Sequence, residues 1–128
     1  MKSILIAEGD PSVAKLFASV FQQSGWHVAS AADAKGTVKT LGGTEHFDVM
    51  LISSKVSGLN GIELIKFARS LRHRKYLRVL MVTGTGGMET EAFAAGADEV
   101  LHKPIGMTTL VAAADKHMGE MGQQAKKA

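Results

Sequence analysis

The sequence predicts an α/β domain, a parallel sheet with helices packed on both of its faces. Short apolar runs and amphipathic stretches alternate along the whole 128-residue chain. The runs Ser3–Ala7, Val49–Ile52 and Val79–Val82 are apolar at nearly every position, as strands covered on both faces must be. The amphipathic stretches open and close on residues suited to helix ends. Strand and helix in strict alternation require right-handed crossovers between parallel neighbours.

Each element follows from its own residues. After Ser3–Ala7, the segment Glu8-Gly9-Asp10-Pro11-Ser12 turns the chain. Asp10 supplies a carboxylate at the N-cap, and Pro11 stands where a missing N–H costs nothing. Val13, Leu16, Phe17, Val20 and Phe21 then predict one apolar helix face, which Ser24-Gly25 closes. Trp26–Ser30 is a shorter, less apolar strand that suits a sheet edge. Asp33 caps a second helix with Ala34, Val38 and Leu41 facing inward and Gly42-Gly43 at its end. The central strand, Asp48–Ile52, runs into Ser53. Beyond its loop, Asn60 with Glu63 approximates a capping box, and Leu64, Ile65, Ala68 and Leu71 mark a helix face.

A basic turn follows, Arg72-His73-Arg74-Lys75 with Arg78 close behind. It is read as a solvated helix end in preference to a docking patch. The strand Val79–Val82 ends at Thr83, and the loop Gly84-Thr85-Gly86-Gly87 is the most flexible in the chain. A short helix over Met88–Ala95 stops at Gly96. Glu99–Leu101 forms the last strand, broken by Lys103-Pro104. Met107, Leu110, Val111, Ala114 and Met118 stripe the final helix, so the domain is expected over residues 1–118 and a flexible tail over 119–128.

Composition excludes several classes. There is no cysteine, hence no disulfide framework or thiolate chemistry. The first apolar run is too short for a membrane span, which points to a cytoplasmic protein with no membrane partner. A formal charge of +3 is too small to argue for nucleic acid, and no aromatic residues interleave the basic turn. His27, His46, His73, His102 and His117 form no helical pair at ligand spacing, so no metal site is expected from them. Met88, Met107, Met118 and Met121 read as core filling or as an adaptable surface.

In sheets of this kind the site lies beyond the carboxyl ends of the strands. The residues there are Glu8, Gly9, Ser53, Thr83 and Lys103. Together with Gly96-Ala97-Asp98-Glu99-Val100-Leu101 before Lys103-Pro104, and the turn Ser57-Gly58-Leu59-Asn60-Gly61, this constellation resembles the receiver domain of bacterial response regulators. The resemblance covers the chain up to its tail. It implies a flavodoxin-like (βα)5 fold with strand order 2-1-3-4-5. In that family an acidic pair and an aspartate hold magnesium, and the aspartate accepts a phosphoryl group from a histidine kinase. Thr83 matches the family's hydroxyl position and Lys103 its lysine.

Three positions depart from that pattern. Glu8-Gly9 replaces the acidic pair, Ser53 occupies the acceptor position, and Val100 stands at the aromatic switch position. With Asp10 engaged as a helix cap, the pocket charge sums to near zero, Glu8 against Lys103, and neither magnesium nor another cofactor is expected. Glu8 and Lys103 are expected to pair directly. Serine forms no acyl phosphate and is a weak nucleophile without a base, so Ser53 is read as a satisfied hydroxyl. The expectation is therefore a non-enzymatic, single-domain response regulator acting by phosphorylation-independent contact with a histidine kinase, another regulator, an effector or a second copy of itself. The expected surface is Phe93, Val100, Met107 and Val111. The alternative is a small-anion or nucleotide sensor built on the vestigial phosphate pocket.

Overall fold

The structure is a computed structural model that describes residues 2–127 apart from Ser57 and Thr85, and of residues 119–127 the backbone alone. The elements in chain order are β1 (Ser3–Ala7), α1 (Pro11–Gln23), β2 (His27–Ala31), α2 (Ala34–Gly42), β3 (Val49–Ser53), β4 (Lys55–Val56), β5 (Leu59–Asn60), α3 (Gly61–Ser70), β6 (Arg78–Thr83), α4 (Glu89–Ala95), β7 (Glu99–His102) and α5 (Met107–Lys127). Five parallel strands form the sheet in the order β2-β1-β3-β6-β7. The numbers differ from 2-1-3-4-5 because β4 and β5 pair only with each other, as an antiparallel hairpin outside the sheet. The sequence reading places no strands there, since two-residue strands are too short to show a period.

Alternation along the inner strands divides the core. Ile4, Ile6, Val49, Leu51, Leu80 and Val82 point to one face, where Phe17 and Phe21 of α1 and Leu110 and Ala114 of α5 cover them. Leu5, Ala7, Met50, Ile52, Val79 and Met81 point to the other, under α2, α3 and α4. Trp26, just ahead of β2, packs edge-on against Phe21 with ring centroids 5.6 Å apart. The caps act as their residues predict. Asp10 Oδ1 accepts from the Ser12 and Val13 N–H groups, Asp33 Oδ1 from Gly36 N–H, and Asn60 Oδ1 from Glu63 N–H. Gly96 ends α4 with φ +118°, a conformation that suits glycine.

Three expectations are corrected. Leu16 is half exposed, because it lies about 100° round the helix from Phe17 and so turns off the sheet-facing stripe. In α2 Ala34 and Leu41 are buried as expected, but the third inward residue is Thr37, whose hydroxyl donates to the Asp33 carbonyl, while Val38 is only partly covered. The basic turn is not simply a solvated end. Arg74 is 4% exposed, and its guanidinium donates to the carbonyls of Thr40, Leu41, Gly43 and Glu45. It satisfies the last carbonyls of α2 and the loop beyond, groups left without partners inside a helix. Burial pushes the Arg74 guanidinium below its usual value, with Glu45 acting in the opposite direction. Arg72, Lys75 and His73 remain exposed beside it. α5 continues as helix through Lys127, past the end of its apolar stripe at Met118. The side chains of the expected tail, with Met121, fall outside the described residues.

Candidate functional site

At the carboxyl ends of β1, β3 and β7, a cavity of about 450 Å³ is lined by Glu8, Gly9, Asp10, Ser53, Ser54, Lys55, Gly84 and Lys103. The strand registers assemble it. Ala7 pairs with Ile52, Ser53 with Val82, and Thr83 with His102, so the residues that leave these strands emerge on one rim. Gly61 closes the hairpin against that rim. Its N–H donates to the Ser54 carbonyl at 2.8 Å, and a Cβ there would overlap the Ser53 carbonyl oxygen.

Glu8 is the centre of the polar network. It is 5% exposed, and both carboxylate oxygens are engaged. Ser53 Oγ donates to Oε1 at 2.5 Å, Asp10 N–H donates to Oε2 at 2.9 Å, and Lys103 Nζ stands 3.8 Å from Oε1. A buried carboxylate needs such compensation. The expected Glu8–Lys103 pair is therefore present as an ion pair, but at a length beyond a hydrogen bond, because the Ser53 hydroxyl holds the closer place. Asp10 is committed to α1 as its cap, and Gly9 contributes no side chain. Lys55, at the start of the hairpin, adds a second cation to the lining that the sequence reading does not single out.

Not every expected residue reaches the cavity. Thr83 is fully buried, and its hydroxyl donates to Met88 Sδ at 3.6 Å under α4. The surface expected from Phe93, Val100, Met107 and Val111 is divided between the two faces of the sheet. Phe93 is half exposed on α4, and Val100 packs against the α2–α3–α4 core. Met107 and Val111 pack against the α1–α5 core and line a cleft with Val20, Gln23 and Ala112. Four histidines meet an acceptor, His46 with Asp48, His73 with the Leu41 and Gly43 carbonyls, His102 with Glu89 and His117 with Glu99, while His27 stands 3.9 Å from Glu45, beyond a hydrogen bond.

The family model for the response regulator receiver domain matches residues 4–115. This chain belongs to the receiver domain family. The transcriptional regulatory protein TcrA of Mycobacterium tuberculosis is 31% identical over 112 residues, 85% of this chain and 43% of TcrA, so the chain spans less than half of that relative. A CheY-like receiver domain protein from Methanospirillum hungatei superposes with a TM-score of 0.85 at 27% identity, covering 100% of this chain and 99% of its own. The receiver domain of the sensor histidine kinase PA1611 from Pseudomonas aeruginosa shares the fold at a TM-score of 0.84 and 19% identity, over 92% of this chain and 98% of its own. That structure holds a magnesium ion coordinated in its active site cleft. Receiver domains typically bind magnesium there, and they are signalling modules of two-component systems that interact with histidine kinases and effectors. Among the described residues, no helix is long and apolar enough to cross a membrane.

Proposed function

We propose that this receiver domain signals through protein contacts in a cytoplasmic two-component-type pathway, without aspartyl phosphorylation and without magnesium. The observation that carries the reading is the Ser53 hydroxyl donating to buried Glu8 at the end of the central strand. In this reading Ser53 occupies the acceptor position. A hydroxyl there forms no acyl phosphate, and one that already donates to a carboxylate is a satisfied group. The donor set does not fit a hard dication, which needs several oxygen ligands and carboxylate charge. Glu8 is bonded at both oxygens, Asp10 caps α1, and Lys55 and Lys103 bring two positive charges to the lining. Partner binding falls to exposed side chains instead, with half-exposed Phe93 on α4 as the anchor for a histidine kinase, a regulator, an effector or a second copy.

The pair Lys55 and Lys103 supports a second reading, a small-anion sensor in the same cavity. Calorimetric titration with magnesium, inorganic phosphate and sulfate separates the two. The contact-only module gives no heat with any of them at millimolar ligand. Saturable magnesium binding contradicts it, and saturable phosphate binding selects the sensor.

A further inference from the structure

At the opposite end of the sheet, where β6 begins and β7 is about to begin, lies a second cavity of about 660 Å³. Its lining is Arg69, Lys75, Tyr76, Leu77, Arg78, Gly96, Ala97 and Asp98. Three cations therefore face one carboxylate. The carboxylate is fully engaged: Asp98 Oδ2 accepts from Arg69 Nη2 and the Val79 N–H, each at 2.8 Å, and Oδ1 from Arg78 Nη1 at 3.1 Å. Arg69 also spends its donors on the fold, bonding the carbonyls of Gly96 and Leu77. Arg78 does not. Its Nη1 bonds to Asp98, and its Nε is buried with no partner among the described residues. A buried guanidinium N–H without an acceptor is uncommon and costly. On the rim, Tyr76 exposes 58% of its surface, and the Lys75 ammonium stands 4.9 Å from its ring centroid.

These features have a common chemical complement. The surplus positive charge calls for an anion, and Arg78, held in place by Asp98 through Nη1, sets a planar guanidinium in the lining, a group suited to oxyanion recognition. The exposed tyrosine ring offers a stacking platform beside the cationic group. The volume falls within the range of small-molecule sites. We propose that the cavity formed by Lys75, Tyr76 and Arg78 binds a nucleoside phosphate, the phosphate between Lys75 and Arg78 and the base on the Tyr76 ring. The site is separate from the Ser53 cavity and stands whether or not that cavity takes an anion.

Calorimetry on the whole chain tests it, with adenosine and guanosine 5′-mono- and diphosphates, adenosine and inorganic phosphate as probes. Saturable heat is expected with a nucleotide and none with adenosine; phosphate alone is titrated into Lys103→Gln, which disables the Ser53 cavity, and should give none. Lys75→Gln and Tyr76→Ala alter exposed residues, so the fold survives, as thermal melting would verify. Each variant should weaken nucleotide binding by roughly tenfold or more, while Lys103→Gln at the other cavity leaves it unchanged. Absence of heat with every nucleotide overturns the proposal. So does binding that Lys75→Gln and Tyr76→Ala leave intact, binding that Lys103→Gln removes, or heat from phosphate alone in Lys103→Gln equal to that from a nucleotide.

Discussion

Ser53 puts a hydroxyl at the point where the central strand meets the cavity, and that hydroxyl donates to Glu8. A carboxylate that is 5% exposed is tolerated because Ser53, the Asp10 N–H and Lys103 share its compensation. Ser53→Ala removes the closest donor and should cost about 1–2 kcal/mol in urea unfolding. An unchanged midpoint would mean that the Ser53–Glu8 bond adds nothing to stability. Gly9→Asp together with Ser53→Asp supplies two further carboxylates to the lining, and calorimetry of that double variant should then show magnesium binding, where the proposed function expects none from the native chain. Continued silence would place the loss in the geometry of the cavity. At this scale the sequence was a good guide to which residues sit at the strand ends, because strand ends follow from hydrophobic runs. It was a poor guide to Thr83, whose hydroxyl turns to Met88 under α4, and to Lys55, which reaches the cavity through a hairpin too short to leave a period.

Among the elements, the helix starts were legible and one of the helix ends was not. Asp10, Asp33 and Asn60 each cap locally, within three residues of their partners, so the sequence contains both halves of the interaction. The end of α2 is satisfied from a distance by Arg74, 33 residues along the chain from Leu41, and no local pattern encodes that. Arg74→Met should therefore destabilise by about 2–4 kcal/mol, since it strips charge-assisted bonds from four buried or half-buried carbonyls. Arg72→Ala, two residues away and exposed, should stay within about 0.5 kcal/mol. Equal, small effects of the two in urea titrations would return the basic turn to the role of a solvated end.

For the whole molecule, the strict alternation of strand and helix made the five-stranded parallel sheet legible before any contact was known. The division of the surface was not. Whether Phe93 and Met107 share a patch depends on α4 and α5 covering opposite faces of the sheet, and helix periodicity gives each helix an inner face without saying which side of the sheet it covers. The proposed partner surface accordingly lies on the α4 side. Phe93→Ala should leave folding stability within about 0.5 kcal/mol, as a half-exposed residue outside the core. A much larger loss on thermal or urea unfolding would make Phe93 a packing residue and remove it as an anchor. The central claim is that signalling here proceeds without phosphoryl transfer to the domain. Intact-mass spectrometry after incubation with a small acyl phosphate and magnesium tests it most directly: the account predicts an unchanged mass, and a phosphoryl adduct with the lability of an acyl phosphate would contradict it.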